Sequence, residues 1–309
     1  MTAKMRRYFR RFNWQGFLMA MAGVIFLAVF AYTPMFGIII GFKKMDYALN
    51  IMKSLKTSDW VGLENFIKFF EDRQFVSVIT NTLGINFMKL FLLFPVPIIF
   101  ALLLNEVRSR AFARVVQTIT CFPHFISWAI FGGLVISFLS GDGGAFNDLL
   151  VTFGILKKPI NFMTRPEYFW WITYFSDIVK GIGWGSIIYL AAIAGVDPQL
   201  YESALLDGAN RGQMAWYITI PSIAGTVTVM LILRLSGMLG NNFDEYYILQ
   251  NAMNISTSEV LSTFTYKIGV SQRRYSYTTA VGLFSSLVGM IMLTSGNLLS
   301  KRLTGRGLY

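Results

Sequence analysis

Few side chains in this sequence have the types and spacing that catalysis or metal binding requires. Cys121 and His124 form a C-x-x-H pair, but a metal site needs three or four ligands, and the chain has 1 Cys and 1 His. We therefore expect this pair to pack between helices, with no metal site. The same scarcity gives no support for a serine triad. No GxxxxGK[ST] phosphate loop occurs, so the chain lacks this device for binding ATP.

Four charged residues lie within or near long apolar stretches: Lys89, Asp177, Lys180 and Arg234. A charge at the centre of a membrane helix costs about 2.5–3.5 kcal/mol, so such residues usually face a cavity or a partner. For Lys89 and Arg234, two interpretations have equal weight. Each side chain either faces a cavity or a subunit interface, or snorkels to the membrane surface. Asp177 and Lys180 are spaced i,i+3 on one helix, which allows them to neutralise each other.

The elements that must position these residues are apolar helices. Of the 309 residues, 54% are hydrophobic and 14% are charged, which indicates lipid as the solvent. The net charge of +11 comes from basic residues beside apolar runs, so it favours anionic lipid over nucleic acid as their partner. A transmembrane helix needs about 20 mostly apolar residues. The stretches that qualify predict spans over 16–42, 77–104, 115–139, 171–194, 217–240 and 279–300.

These spans divide the chain into a basic N-terminal segment (1–15), a membrane domain (16–300) and a C-terminal tail (301–309). The first apolar run is longer than the core of a signal peptide, about 7–15 residues, so we interpret it as a retained span. Six spans place both termini on one side of the membrane. Basic residues are densest before the first span, between the second and third, and after the sixth, which predicts cytoplasmic termini.

A polar segment, residues 195–216, interrupts the apolar pattern on the side predicted to be cytoplasmic. Asp197-Pro198 is typical of a helix start, with Asp as the N-cap and Pro at the first position. Gly208 is expected to let the chain turn before the next span. Drawn as one helical wheel, the segment has a small apolar arc that comprises Ala204, Leu205, Gly208, Ala209, Gly212, Ala215 and Trp216. A connector that rests on lipid usually has bulky apolar residues and a basic polar face, so this composition favours docking into a protein groove.

The same segment resembles the "EAA" loop of binding-protein-dependent ABC importer permeases. The residues that match the spacing of that loop are Glu202, Ala204, Asp207, Gly208, Ala209, Ile218 and Pro221. Ser203 stands where the family usually has Ala. VGLENF (61–66) and NTL (81–83) resemble carbohydrate-type permeases. NNFDEYYIL (241–249) and YSYTTAVGLFSSLVG (275–289) are similar to the branch that imports oligosaccharides or polysaccharide fragments.

The resemblance implies an all-α integral membrane protein with about six transmembrane helices and a cytoplasmic coupling helix, the type I (maltose-type) ABC importer permease fold. It implies a non-catalytic permease subunit in the bacterial cytoplasmic (inner) membrane that imports oligosaccharides by alternating access. The implied partners are a second homologous permease subunit, two ATPase subunits and an extracellular solute-binding protein. ATP and Mg would be bound by the ATPase subunits, with no cofactor in this chain. The residues that the resemblance assigns to ATPase coupling are Glu202, Ser203, Ala204, Asp207, Gly208, Ala209, Arg211 and Pro221.

A sugar site needs aromatic platforms beside amides or carboxylates, because sugars present apolar ring faces and hydroxyls. Candidates in or near the fourth and fifth spans are Trp184, Tyr189, Arg234, Asn241, Asn242, Asp244, Glu245 and Tyr246. For each residue the competing interpretation is an interfacial belt or a solvated loop. Two other functions stay open: an ABC importer permease for another solute class, and an ion-coupled secondary transporter. The latter needs carboxylates inside the spans or paired broken helices, and Asp177 alone approaches the first requirement.

Overall fold

The computed structural model describes residues 13–45, 50–240, 242–305 and 307. Over these residues the fold is helical, and its β-type pairing is an isolated antiparallel bridge between Lys43 and Trp60. The α-helices are Trp14–Leu27, Thr33–Met35, Ile51–Thr57, Glu64–Phe70, Phe75–Met88, Pro95–Asn105, Arg110–Cys121, Trp128–Phe138, Ala145–Thr152, Phe169–Ala194, Pro198–Leu206, Arg211–Met214, Ile220–Ser236, Phe243–Leu249, Ile255–Ser258, Leu261–Tyr266 and Tyr275–Thr304. Short 3-10 or π-helical turns lie at Ala28–Tyr32, Phe36–Phe42, Lys89–Leu93, Phe122–Phe125, Phe162–Thr164, Pro166–Tyr168, Ala215–Thr219 and Lys267–Ser271.

Consecutive helices and turns join into rods that are long and apolar enough to cross a membrane. Within the described residues, spans 1, 2, 4, 5 and 6 are Trp14–Phe42, Phe75–Asn105, Pro166–Ala194, Arg211–Ser236 and Tyr275–Arg302. Span 3 consists of Arg110–Phe125 and Trp128–Phe138, which meet at a bend of 101°. The expected all-α fold with about six spans is confirmed. Span 5 differs most from its predicted bounds of 217–240, because its helical rod begins inside the polar segment and ends at Ser236.

Span 3 breaks at residues 126 and 127 because the local sequence ends one helix and starts another. Pro123 lies in the 3-10 turn Phe122–Phe125, and Ile126 follows it in an extended conformation, with φ −74° and ψ 133°. Ser127 then caps the second helix, since its Oγ accepts a hydrogen bond from the Ile130 N–H at 3.4 Å. The helix is thus completely broken within three residues of Pro123, whose ring cannot be accommodated in a continuous helix.

The chain forms two compact units, and the smaller one comprises residues 13–45, 50–71 and 268–283 of the described part. No side chain of Trp14–Leu27 is buried within it, as expected for a helix that lipid or another protein surrounds. The buried Asn65 amide donates hydrogen bonds to the carbonyl oxygens of Gly41 (2.9 Å) and Lys43 (3.2 Å). This amide holds the short helix Glu64–Phe70 against the end of span 1.

The larger unit comprises residues 72–240, 242–267 and 284–305 with residue 307, and it contains spans 2 to 5. Span 4 packs against span 2 and against helix Arg110–Cys121. The second of these contacts requires Gly183, because a Cβ there would lie 2.3 Å from the carbonyl carbon of Thr120. The core of this unit includes two buried clusters among the described residues: Ile85, Met163, Phe169, Ile172, Tyr246, Leu249 and Val260 in one, and Ala101, Tyr189, Ile193 and Ile223 in the other.

Candidate transport and coupling sites

Three residues of the larger unit, Lys89, Asp177 and Glu245, form a buried charge cluster. The Lys89 Nζ lies 2.9 and 2.7 Å from the two carboxylate oxygens of Glu245 and 2.8 Å from Oδ2 of Asp177. The exposed fraction of the side chain is 0% for Lys89 and Glu245 and 16% for Asp177. An ammonium has three N–H donors, so these contacts satisfy it completely. The charge cluster therefore joins spans 2 and 4 to helix Phe243–Leu249.

The charge cluster has more carboxylates than ammonium groups. Burial of the carboxyl and the neighbouring Asp177 raise the pKa of Glu245, whereas the Lys89 ammonium and the Arg234 guanidinium lower it. Burial is the largest of these effects, so the pKa of Glu245 stays above its ordinary value. Removal of Lys89 would therefore leave the fully buried Glu245 carboxylate without the ammonium that stabilises its charge.

This arrangement decides between interpretations that the sequence left open for the charged residues. Lys89 neither snorkels nor faces a cavity, because the carboxylates of Asp177 and Glu245 enclose it. Asp177 does not pair with Lys180, although the two residues share a helical turn. The reason is that each has a better partner on another element, which spacing within one helix does not reveal.

Lys180 supplies hydrogen-bond donors to the break in span 3. Its Nζ donates to the backbone carbonyl oxygens of Pro123 (3.1 Å), His124 (3.3 Å) and Ile126. These carbonyls lie where the helix ends, so no continuing helix supplies them with N–H donors. The Pro123 carbonyl also accepts a hydrogen bond of 3.2 Å from the Ile126 N–H. A side chain of span 4 thus holds the open backbone of span 3.

A cavity of about 720 Å³, which we call the central cavity, lies beside the charge cluster. Its aromatic lining is Phe94, His124, Trp128, Trp184 and Tyr189, and its polar lining is Asp177, Lys180, Arg234 and Asn242. The rings of His124 and Trp184 stack with their centroids 4.5 Å apart. Asn242 donates a hydrogen bond of 3.4 Å to Oδ2 of Asp177, which connects the cavity wall to the charge cluster. Among the described residues, Nη2 of Arg234 is buried without a hydrogen-bond partner.

The predicted substrate-path residues separate into three groups. Trp184, Tyr189, Arg234 and Asn242 line the central cavity together. Glu245 and Tyr246 are 0% and 1% exposed and do not line it; the Lys89 Nζ lies 4.9 Å from the centroid of the Tyr246 ring. Asp244 is exposed on helix Phe243–Leu249, and Asn241 lies outside the described residues. Lys180 and His124 were not predicted to lie on the path, and their place in the cavity follows from the break in span 3.

The polar segment 195–216 folds as two short helices with a turn between them. Oδ1 of Asp197 accepts a hydrogen bond from the Gln199 N–H at 3.0 Å and starts helix Pro198–Leu206. Gly208 has φ +80°, a left-handed conformation that disfavours any side chain. Asn210 then caps a new helix in a capping box with Gln213, with hydrogen bonds of 2.8 and 2.9 Å.

This turn corrects the single helical wheel drawn from the sequence. The small residues before Gly208 and those after it belong to different helices, so they do not form one continuous apolar arc. Among the predicted coupling residues, Glu202, Ser203, Asp207, Gly208 and Arg211 are exposed, and Ala204 and Ala209 are partly buried. Pro221 lies in the first turn of helix Ile220–Ser236.

Sequence reasoning missed two further residues of this segment. One makes a contact with span 5, and the other is highly exposed. The Tyr201 hydroxyl lies 3.0 Å from Oγ1 of Thr219, which links helix Pro198–Leu206 to the start of span 5. Leu206 has 90% of its surface exposed, and the adjacent Leu205 has 59% of its surface exposed. The neighbouring apolar residue Leu205 was the available signal for an exposed apolar tip. Such a tip is suited to burial in a partner.

Known proteins resemble this chain over almost all of its length. The family model described as "Binding-protein-dependent transport system inner membrane component" matches residues 74–305. The polygalacturonan/rhamnogalacturonan transport system permease protein YteP of Bacillus subtilis (strain 168) is 42% identical over 95% of this chain and 89% of its own. A chain in the crystal structure of a bacterial alginate ABC transporter in complex with alginate pentasaccharide-bound periplasmic protein is 37% identical, with a TM-score of 0.86, over 96% of this chain and 97% of that chain. A second structure, of a bacterial ABC transporter involved in the import of the acidic polysaccharide alginate, gives 36% identity and a TM-score of 0.88 over 97% and 99% of the two chains.

Proposed function

The chain belongs to the family of binding-protein-dependent transport system inner membrane components, and from this membership we propose that it is one of two permease subunits in an ATP-driven oligosaccharide importer. Its partners are a second permease subunit, two ATPase subunits that bind ATP and Mg, and an external solute-binding protein. The structure of the alginate transporter with its periplasmic protein supports a partner of that kind. The complex lies in the bacterial inner membrane with both termini of this chain in the cytoplasm.

In this proposal ATP energy enters the chain at the polar segment 195–216, which we call the coupling segment. Glu202 and Leu206 contact the ATPase subunit, and Gly208 provides the turn that places them at the tip. When the ATPase subunits close, the helix that begins at Pro198 moves with them. The hydrogen bond between Tyr201 and Thr219 passes this motion to span 5, which forms part of the central cavity. The central cavity then opens to the other side of the membrane.

The proposed substrate is a polysaccharide fragment that carries carboxylate groups, and it passes through the central cavity. The observation that supports this class is a stacked aromatic pair, His124 and Trp184, in the same cavity as Arg234. An aromatic face packs against a sugar ring, and a guanidinium binds a carboxylate through two parallel N–H donors. Nη2 of Arg234 is buried and has no hydrogen-bond partner among the described residues, so a bound carboxylate would satisfy it. The relatives named above transport polygalacturonan, rhamnogalacturonan or alginate.

Co-purification tests this assignment. A tagged chain, extracted from its native membrane in mild detergent, is expected to carry a separate polypeptide that contains a GxxxxGK[ST] phosphate loop. The purified complex should hydrolyse ATP faster when the substrate-loaded binding protein is added. A monodisperse chain that co-purifies with no such ATPase, and whose transport follows an ion gradient, would contradict the proposal.

A further inference from the structure

A second concave surface lies beside the coupling segment, and we call it the arginine groove. Its volume is about 910 Å³, and its walls are the ends of spans 2 and 4, the first turns of span 3 and part of the coupling segment. Arg108, Arg110, Arg114 and Arg211 line it, and Glu106 is the acidic residue among its lining. The groove is therefore strongly basic.

Only one of these arginines has a carboxylate partner within the described part of the chain. Nη1 of Arg211 lies 3.5 Å from Oε2 of Glu106. Arg108, Arg110 and Arg114 are exposed and form no ion pair among the described residues. Guanidinium groups around one groove repel each other, so the arrangement favours an anionic occupant. The planar fork of arginine matches the oxygens of a carboxylate or a phosphate.

The positions of the apolar residues favour a protein over a lipid as that occupant. Helix Arg110–Cys121 exposes Phe112, Val115 and Ile119, which share one face of the helical wheel. Arg110 and Arg114 lie on the opposite face. A lipid chain along the apolar face would therefore place its headgroup away from the groove.

The coupling segment forms the other wall of the same groove. Leu205 and Asn210 line it together with the arginines, and both belong to the segment that the proposed function places on the ATPase subunit. A partner that holds the coupling segment is thus brought beside the arginines. The ATPase subunit is therefore the occupant that the proposed contact with the coupling segment already brings to the groove.

We propose that the arginine groove is a second docking site for the ATPase subunit, which presents carboxylate side chains to Arg108, Arg110 and Arg114. This inference rests on the proposed function, since it extends the same partner onto a second element. It gives the ATPase subunit a contact at the start of span 3 as well as one at the start of span 5. The association is then sensitive to salt, because exposed charge pairs are screened.

The test uses the full-length chain in lipid nanodiscs and the ATPase subunits that co-purify with it. The variant Arg110→Gln/Arg114→Gln is compared with Lys157→Gln/Lys158→Gln, which removes the same charge from exposed positions outside the groove. At about 50 mM salt we expect the first variant to bind the ATPase about 5- to 30-fold more weakly, and the control to bind normally. The difference should shrink towards about 500 mM salt. Arg110→Lys/Arg114→Lys should lose less affinity than the Gln variant, because it keeps the charge but not the planar fork.

Three results would overturn the inference, and they differ from failure of the proposed function. Equal ATPase affinity for the wild type and the Gln variant removes the second docking site. An equal loss in the lysine control makes the effect one of net charge only. A loss that appears only when anionic phospholipid is present in the nanodisc assigns the groove to lipid. If the wild-type chain itself binds no ATPase, the proposed function fails together with this inference.

Discussion

Replacement of Lys89 by Met tests whether the charge cluster stabilises the larger unit. The Lys89 Nζ contacts the carboxylates of Asp177 and Glu245 at 2.7–2.9 Å, and the side chain has no exposed surface. Met keeps most of the volume of the lysine stem but leaves the carboxylates facing each other without a cation. Breaking a buried ion pair by removing one partner costs about 3–5 kcal/mol. We expect the free energy of unfolding to fall by that amount.

The triple variant Lys89→Met/Asp177→Asn/Glu245→Gln separates the effect of charge from the effect of shape. Because neutral replacements of a whole buried ion cluster are often tolerated, we expect it to recover most of the loss, to within about 2 kcal/mol of the wild type. Lys68→Met is the exposed control. Its ion pair with Glu64 spans 2.6 Å, but the two side chains are 48% and 51% exposed, so the loss should be below about 1 kcal/mol.

The assay is unfolding of the detergent-solubilised chain by titration with SDS, at about pH 8 and about pH 5. Burial raises the pKa of Glu245, so without Lys89 the folded state binds protons more readily than the unfolded state. Stability of the Lys89→Met variant should therefore rise as the pH falls, in the direction that linkage requires. The reasoning is refuted if the triple variant is as unstable as the single one, or if the single variant matches the wild type.

Three other substitutions test the mechanical parts of the account. Tyr201→Phe removes the hydroxyl that contacts span 5, so we expect normal insertion and ATPase binding but more ATP hydrolysed per sugar imported; an unchanged ratio would exclude this link. Gly183→Ala places a Cβ 2.3 Å from the backbone of span 3 and should lower the free energy of unfolding by about 1–3 kcal/mol in the SDS titration. Gly181→Ala is the control and should be neutral, because a Cβ there meets nothing within 4 Å. Arg234→Gln should reduce uptake of acidic oligosaccharides about 10-fold or more and leave neutral ones unaffected, and equal losses for both would remove the carboxylate contact.

Local signals in the sequence predicted the parts of this fold that depend on neighbouring residues. The apolar runs give the spans, Asp197-Pro198 gives the start of the coupling helix, and Gly208 gives the turn, which the structure shows at φ +80°. The boundary of span 5 was wrong because Asn210 caps a helix that runs on into the span. The capping box of Asn210 and Gln213 begins the same helical rod that continues as span 5, although the first turn is polar and the span is apolar.

Contacts between distant parts of the chain could not be predicted in this way. Lys89 and Glu245 are 156 residues apart, and no periodic pattern connects them. Pro123 indicates an irregular helix, but the 101° bend also depends on Lys180, which supplies donors from another span. The central cavity exists only where these separate contacts meet, so the sequence named some of its lining and missed His124.

Uptake into proteoliposomes tests the central claim, that ATP energy reaches the spans through the coupling segment. The complex is reconstituted with its binding protein, and entry of a labelled acidic oligosaccharide is measured with and without ATP on the ATPase side. We expect uptake that requires ATP and that Glu202→Lys lowers strongly, although the variant is inserted normally. Uptake driven by an ion gradient without ATP, or normal ATP-driven uptake by Glu202→Lys, would contradict the claim.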